Sequence, residues 1–167
     1  MIFHKSIFIL LSVVVALVGG VVEKGTGFDF PTKNPKLGKL SSLGLRKKGP
    51  IKVYAVGMYE DAFKHKGFML KMAMGVSAQK MTNALVDAVK PRLKNDSSAL
   101  EKFSDLMLKG LPDGCSKNMC LLFGTSGGKL SLFVNEKLVG SVSSKALTKA
   151  FADIYCDNNA VCKLVPI

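Results

Sequence analysis

The sequence has no tryptophan, and only two of its 24 basic side chains, Arg46 and Arg92, are arginine. Nucleic-acid-binding chains concentrate arginine and interleave it with aromatics. Here lysines are spread through every segment, so the pattern reads as a solvated basic coat and argues against a nucleic-acid partner. Acidic residues are also few, 12 in all, which leaves a net charge of +12. That excess favours anionic ligands or anionic membrane faces. The only histidines are His4 and His65. No Ser–His–Asp set, paired carboxylates, phosphate-binding loop or metal-ligand spacing is present, so the sequence gives no metal site and no cofactor. There is no internal repeat and no low-complexity tract.

Charged residues are missing from one long stretch. A histidine and a lysine precede the uncharged run Ile7–Val22, and Gly19 and Gly20 offer a cleavage point. Residues 1–22 therefore read as a secretory signal peptide, with an uncleaved N-terminal anchor as the alternative. A spanning helix usually needs about 20 apolar residues. The expected location is the secretory pathway, extracellular space or periplasm; in an alga the same segment would open a plastid-targeting sequence. Only four cysteines occur, all after this run: Cys115, Cys120, Cys156 and Cys162. Their spacings fit neither a zinc knuckle nor a thioredoxin motif. An even count in an exported chain predicts two disulfides, paired locally as Cys115–Cys120 and Cys156–Cys162. Four free thiols in a reducing compartment are the alternative.

What remains is enough for one domain with a single core. Residues 23–36 read as a lead-in, with a short strand near Phe28–Phe30, and residues 37–167 as the domain. Leu37–Leu43 suggests an edge strand. Ile51–Glu60 and Phe68–Met74 have the β-branched, aromatic composition of buried strands. The period then changes. Met81, Ala84, Leu85, Ala88 and Val89 line one helical face behind a Ser77 N-cap, with Pro91 ending the helix. Ser98–Glu101 has the form of a capping box, opening a second helix with Leu100, Phe103 and Met107 on one side. Pro112–Gly114 is a turn. Strands at Asn118–Thr125, Lys129–Val134 and Lys137–Val142 are joined by turns of hairpin length. A last helix begins at Ser143 or Ser144 with a stripe of Leu147, Ala150, Phe151 and Ile154. Hairpin connections predict an α+β fold, a mainly antiparallel sheet with helices layered on one face.

Arg46 stands at the mouth of the strand carrying Tyr54 and Tyr59, in the segment LGLRKKGPIKVYAVGMY (Leu43–Tyr59). Alone it reads as a surface arginine at a loop–strand junction. This segment, the helix pair and NEKLVGSVSSKALTKAFADIY together resemble the chalcone isomerase-like superfamily, over roughly residues 28–161. The resemblance implies an open-faced β-sandwich, a large antiparallel sheet with a helical layer and a ligand cleft between them. It is nearer to the fatty-acid-binding and bacterial or algal relatives than to the plant enzymes.

The resemblance also implies site residues. Arg46 matches the arginine that holds a carboxylate or an anionic phenolic oxygen, a role suited to a planar, permanently charged fork. Tyr54 falls where the plant enzymes carry a strand threonine, Tyr59 matches a strand tyrosine, and Thr148 fits the last-helix threonine or serine. Lys80 and Asp87 stand where the enzymes have a helix tyrosine and asparagine, which argues against flavonoid chemistry. Tyr54 and Tyr59 are five residues apart and point to opposite faces of a regular strand, so one of them, Tyr54 by preference, reaches the cleft. The methionines, including Met58, Met69, Met72, Met74, Met81 and Met107, offer a soft lining for an acyl chain or simply fill the core.

The first expectation is non-catalytic binding of a small amphipathic anion, a fatty acid, by Arg46, Tyr54, Tyr59 and Thr148 in an enclosed apolar hollow. The second is an isomerase closing a chalcone-like substrate with Arg46, Tyr54 and Thr148. The third is an interaction module whose basic surface docks an acidic partner or a membrane, the latter with help from an uncleaved N-terminus.

Overall fold

Tight turns fold most strands back on their neighbours, and three apolar helical stripes need a sheet to cover them. The computed structural model describes residues 19–167. Among these the strands are β1 (Gly20–Val22), β2 (Asp29–Pro31), β3 (Lys33–Asn34), β4 (Gly38–Lys48), β5 (Ile51–Glu60), β6 (Lys66–Met72), β7 (Cys120–Gly124), β8 (Lys129–Val134), β9 (Lys137–Ser143) and β10 (Leu164–Pro166). The helices are α1 (Ala78–Val89), α2 (Ser97–Gly110) and α3 (Lys145–Cys156).

One eight-stranded sheet runs β10-β4-β5-β6-β7-β8-β9, with β3 added at one end of β4. Every pairing is antiparallel. The β8–β9 turn places Asn135 (φ 46°) and Glu136 (φ 71°) in the left-handed region, the geometry that matches strand twist in a two-residue hairpin. A separate two-stranded ribbon of β1 and β2 covers the sheet face opposite the helices. Phe30 of β2 is fully buried there with Leu40, Leu43, Ala55, Tyr59 and Met69.

The larger core lies between sheet and helices. The stripe predicted for α3 is buried as expected, at Leu147, Ala150, Phe151 and Ile154, with Tyr155 added. Phe151 meets Phe123 at 4.5 Å and Phe103 at 5.8 Å between ring centroids, and Tyr155 stacks on Phe68 at 4.9 Å. Such offset and edge-on pairs add to the free energy of burial itself.

The helix ends show where local chemistry decided and where it misled. Ser77 caps α1 through Lys80 N, and Ser144 caps α3 through Leu147 N. The α2 cap is Asp96 rather than Ser98. Its carboxylate accepts from Ala99 N at 3.1 Å and from the Ser144 hydroxyl at 2.7 Å. A carboxylate can serve both donors, so one side chain ties together the starts of α2 and α3.

Three further expectations shift. β4 runs on to Lys48, so Arg46 lies inside a strand rather than at the mouth of one, and β10 covers the strand read as an edge. The leader assigned to residues 1–22 lies outside the described residues up to residue 18, and Gly20–Val22 form β1. All four cysteines are free thiols, so neither Cys115–Cys120 nor Cys156–Cys162 is joined. Among the described residues no helix is long and apolar enough to cross a membrane.

Candidate functional site

Antiparallel register makes Arg46 and Tyr54 direct partners across β4 and β5. Directly opposed residues share a face, and Tyr54 belongs to the core beneath the helices, so Arg46 also faces the helical layer. Its Nη1 donates to Val161 O at 2.7 Å. Tyr54 reaches Tyr155 on α3, their hydroxyls 3.0 Å apart. Cys162, also buried, completes the cluster. Arg46, Tyr54, Tyr155 and Cys162 thus form one group at the seam between sheet and last helix.

Burial sets the protonation of this group. It pushes the Tyr54 and Tyr155 phenols well above their usual range, more than the neighbouring Arg46 charge lowers them. The Cys162 thiol is pushed up to about 11 by burial, again against the pull of Arg46. At neutral pH the site holds a guanidinium, two neutral phenols and a neutral thiol. It is a set of donors with one fixed positive charge, suited to an anion.

Both arginines of the chain grip the loop after α3. Arg92 pairs with Asp157 through Nε at 2.8 Å and Nη2 at 3.0 Å, and Nη2 also donates to Asn159 O at 2.8 Å. Arg46 holds the same loop at Val161. This two-point attachment positions Cys162 and the start of β10 beside Tyr155.

A surface cleft of about 550 Å³ opens beside this group; Tyr155 and Cys162 line it with Met58, Lys66, Cys156 and Leu164, while Arg46 and Tyr54 lie behind its lining. Its volume lies within the range of roughly 300–1,000 Å³ usual for ligand sites. The sequence suggested instead an enclosed hollow with the guanidinium at its floor. The space under the helices is filled by Phe68, Phe103, Phe123 and Phe151, and the opening lies at the seam. Of the methionines, Met58 lines this cleft; Met72, Met81 and Met107 are core, and Met69 lies on the far side of the sheet.

The other predicted site residues lie apart. Tyr59 is buried under the β1–β2 ribbon, its hydroxyl donating to Pro31 O at 2.9 Å, which separates it from Tyr54. Thr148 is buried on α3 with its hydroxyl donating to Lys145 O at 2.8 Å. It stands seven residues, about 10 Å of helix, from Tyr155. Lys80 and Asp87 are exposed on α1. Tyr155 was missed because its partner is 101 positions away; its one local signal was continuation of the Leu147–Phe151 stripe. Among the described residues no three His, Cys, Asp or Glu side chains gather as metal ligands.

The chain is similar to the crystal structure of an Arabidopsis thaliana fatty-acid binding protein, with a TM-score of 0.76, 24% identity, and coverage of 85% of this chain and 91% of that one. The fold is chalcone isomerase-like. No family model matches the sequence, and no curated protein matches it.

Proposed function

We propose that this protein belongs to the fatty-acid-binding branch of the chalcone isomerase-like superfamily. It would bind a fatty acid or similar amphipathic anion at the seam between sheet and last helix, without turnover. The observation that carries the reading is the inward-facing Arg46 beside the buried Tyr54–Tyr155 pair. A guanidinium has five N–H donors, and one is engaged, by Val161 O. Two phenols hold two hydroxyl protons and share one hydrogen bond. The free N–H groups and the second phenol proton match a carboxylate, which accepts several hydrogen bonds at once. The tail would lie along Met58 and Leu164 in the cleft.

Fatty-acid binding by the structurally similar plant protein supports the same chemical class of ligand. Ring-closing isomerisation is the weaker reading. Lys80 and Asp87 replace the aromatic and amide groups that would orient a chalcone, and Thr148 is two helical turns from Tyr155.

The test is displacement of a fluorescent fatty acid from wild type and from Tyr155→Phe. Losing one hydrogen bond to a carboxylate should weaken binding about tenfold or more. Equal affinity in both proteins would remove the tyrosine pair from the site.

A further inference from the structure

The hairpin joining β5 to β6 ends in an ordered turn. Asp61 Oδ1 accepts from Phe63 N at 2.8 Å and from His65 N at 2.9 Å, and its Oδ2 meets His65 Nδ1 at 2.8 Å. Lys64 N donates to Asp61 O at 3.1 Å, with Lys64 at φ 67°. What this fixed turn presents is Phe63, 82% exposed, the highest value for a large apolar side chain among the described residues. An aromatic ring so exposed adds little to folding, because it buries little surface. Lys64 beside it is 83% exposed in its side chain, and Lys66 follows. Lys39 and the half-exposed Ile167 line an adjoining surface cleft of about 1100 Å³. Of the acids nearby, Asp61 is engaged in the turn, and Glu60 lies 3.8 Å from Lys64 in a long contact that leaves the lysine open to a second partner.

Two more observations fall at the same end of the sheet. Thr32 N donates to Gly19 O at 3.0 Å and Leu40 N to Thr32 O at 2.9 Å, while Leu40 is the register partner of Tyr59 at the base of this hairpin. Gly19, the first described residue, therefore lies beside the hairpin. Lys66, three residues past Phe63, lines the cleft at Tyr155, so the exposed ring and the opening of that cleft share one end of the molecule.

We propose that the Phe63 hairpin docks this protein on an anionic lipid bilayer, with Phe63 entering the interface and Lys39, Lys64 and Lys66 pairing with headgroups. An aromatic ring flanked by lysines suits the headgroup–acyl boundary, where apolar burial and attraction to anionic lipid act together. This docking does not depend on the cleft holding a fatty acid, and it is tested with different variants.

The sequence lacks tryptophan, so Phe63→Trp in the full chain supplies a single reporter. Mixed with vesicles of phosphatidylcholine and phosphatidylglycerol, its emission should shift to the blue, be quenched by acyl-brominated lipid, and lose the shift as salt is raised. Leu138→Trp is the control. That residue is 61% exposed beside the β8–β9 turn, whose Asn135 bonds Cys120 at the other end of the sheet from Phe63, and its emission should stay unchanged. Phe63→Ser should sediment with the vesicles roughly tenfold more weakly than wild type. Unshifted Phe63→Trp emission, an equal shift in Leu138→Trp, or equal sedimentation of wild type and Phe63→Ser would overturn the proposal.

Discussion

Tyr54 on β5 and Tyr155 on the last helix join hydroxyls at 3.0 Å, a buried polar link between sheet and α3 in a seam where Arg46 holds the following loop at Val161. Burial keeps both phenols neutral. The pair therefore donates hydrogen bonds and does not act as a base near neutral pH.

That neutrality makes binding insensitive to alkali over a wide range. The phenols resist ionisation because they are buried. Fatty-acid affinity should be flat from about pH 6 to 9 and fall only in acid, as the ligand's own carboxyl is protonated near the usual carboxyl range of about 4 to 5. Affinity measured across this range by fluorescence displacement checks it. A loss of binding centred near pH 7 would require a titrating group that this site does not contain.

Stability should respond to alkali in the opposite way. Folding raises the pKa values of Cys162, Tyr54 and Tyr155, so each contributes stability that is fully present below its unfolded value, about 8.5 for a thiol and 10 for a phenol. That stability is lost as pH climbs through the folded values, about 11 for Cys162. The unfolded state then releases protons that the folded state retains, and unfolding becomes easier. Urea midpoints should hold steady to about pH 8 and decline above about 9.

The core aromatic contacts predict a large single-site effect. Phe151 is fully buried between Phe68, Phe103 and Phe123. Phe151→Ala should cost about 3–5 kcal/mol, measured by denaturant unfolding, whereas exposed Leu138→Ala should change stability by less than about 0.5 kcal/mol.

Asp96→Ala removes the carboxylate that serves both Ala99 N and the Ser144 hydroxyl. It should lower the melting temperature. Asp96→Asn, which keeps one acceptor oxygen for the α2 cap, should lower it less. The ordering of the three proteins in a thermal melt is the readout.

Free thiols give a direct count. All four cysteines are unpaired in the structure, so denatured protein without reductant should react with four equivalents of a thiol reagent. In the native state Cys156, the exposed one, should react first.

How far the sequence carried this account follows from the range of each signal. The stripe from Leu147 to Ile154, the Ser77 cap and the Asn135–Glu136 turn are short-range features, and each was readable. The antiparallel layering followed from hairpin-length joints. Arg46 was placed outside a strand because the run Arg46–Lys48 looks like a polar loop, while in the fold it closes β4 against β5. The capping-box pattern at Ser98 drew attention from Asp96, whose second partner, Ser144, is 48 residues away. The Arg46–Val161 bond spans 115 positions, so the way the site is held was invisible to any local pattern. The expected hollow failed for a volumetric reason: four phenylalanines occupy the space that composition alone left open.

Native mass spectrometry of the protein incubated with oleate, comparing wild type, Arg46→Ala, the Tyr54→Phe/Tyr155→Phe double variant and Lys66→Ala, decides whether the seam holds a fatty acid. Binding at the seam gives a one-to-one adduct in wild type and Lys66→Ala, and its loss in Arg46→Ala and the double variant. Equal adduct in wild type and both site variants, or loss confined to Lys66→Ala, would contradict it.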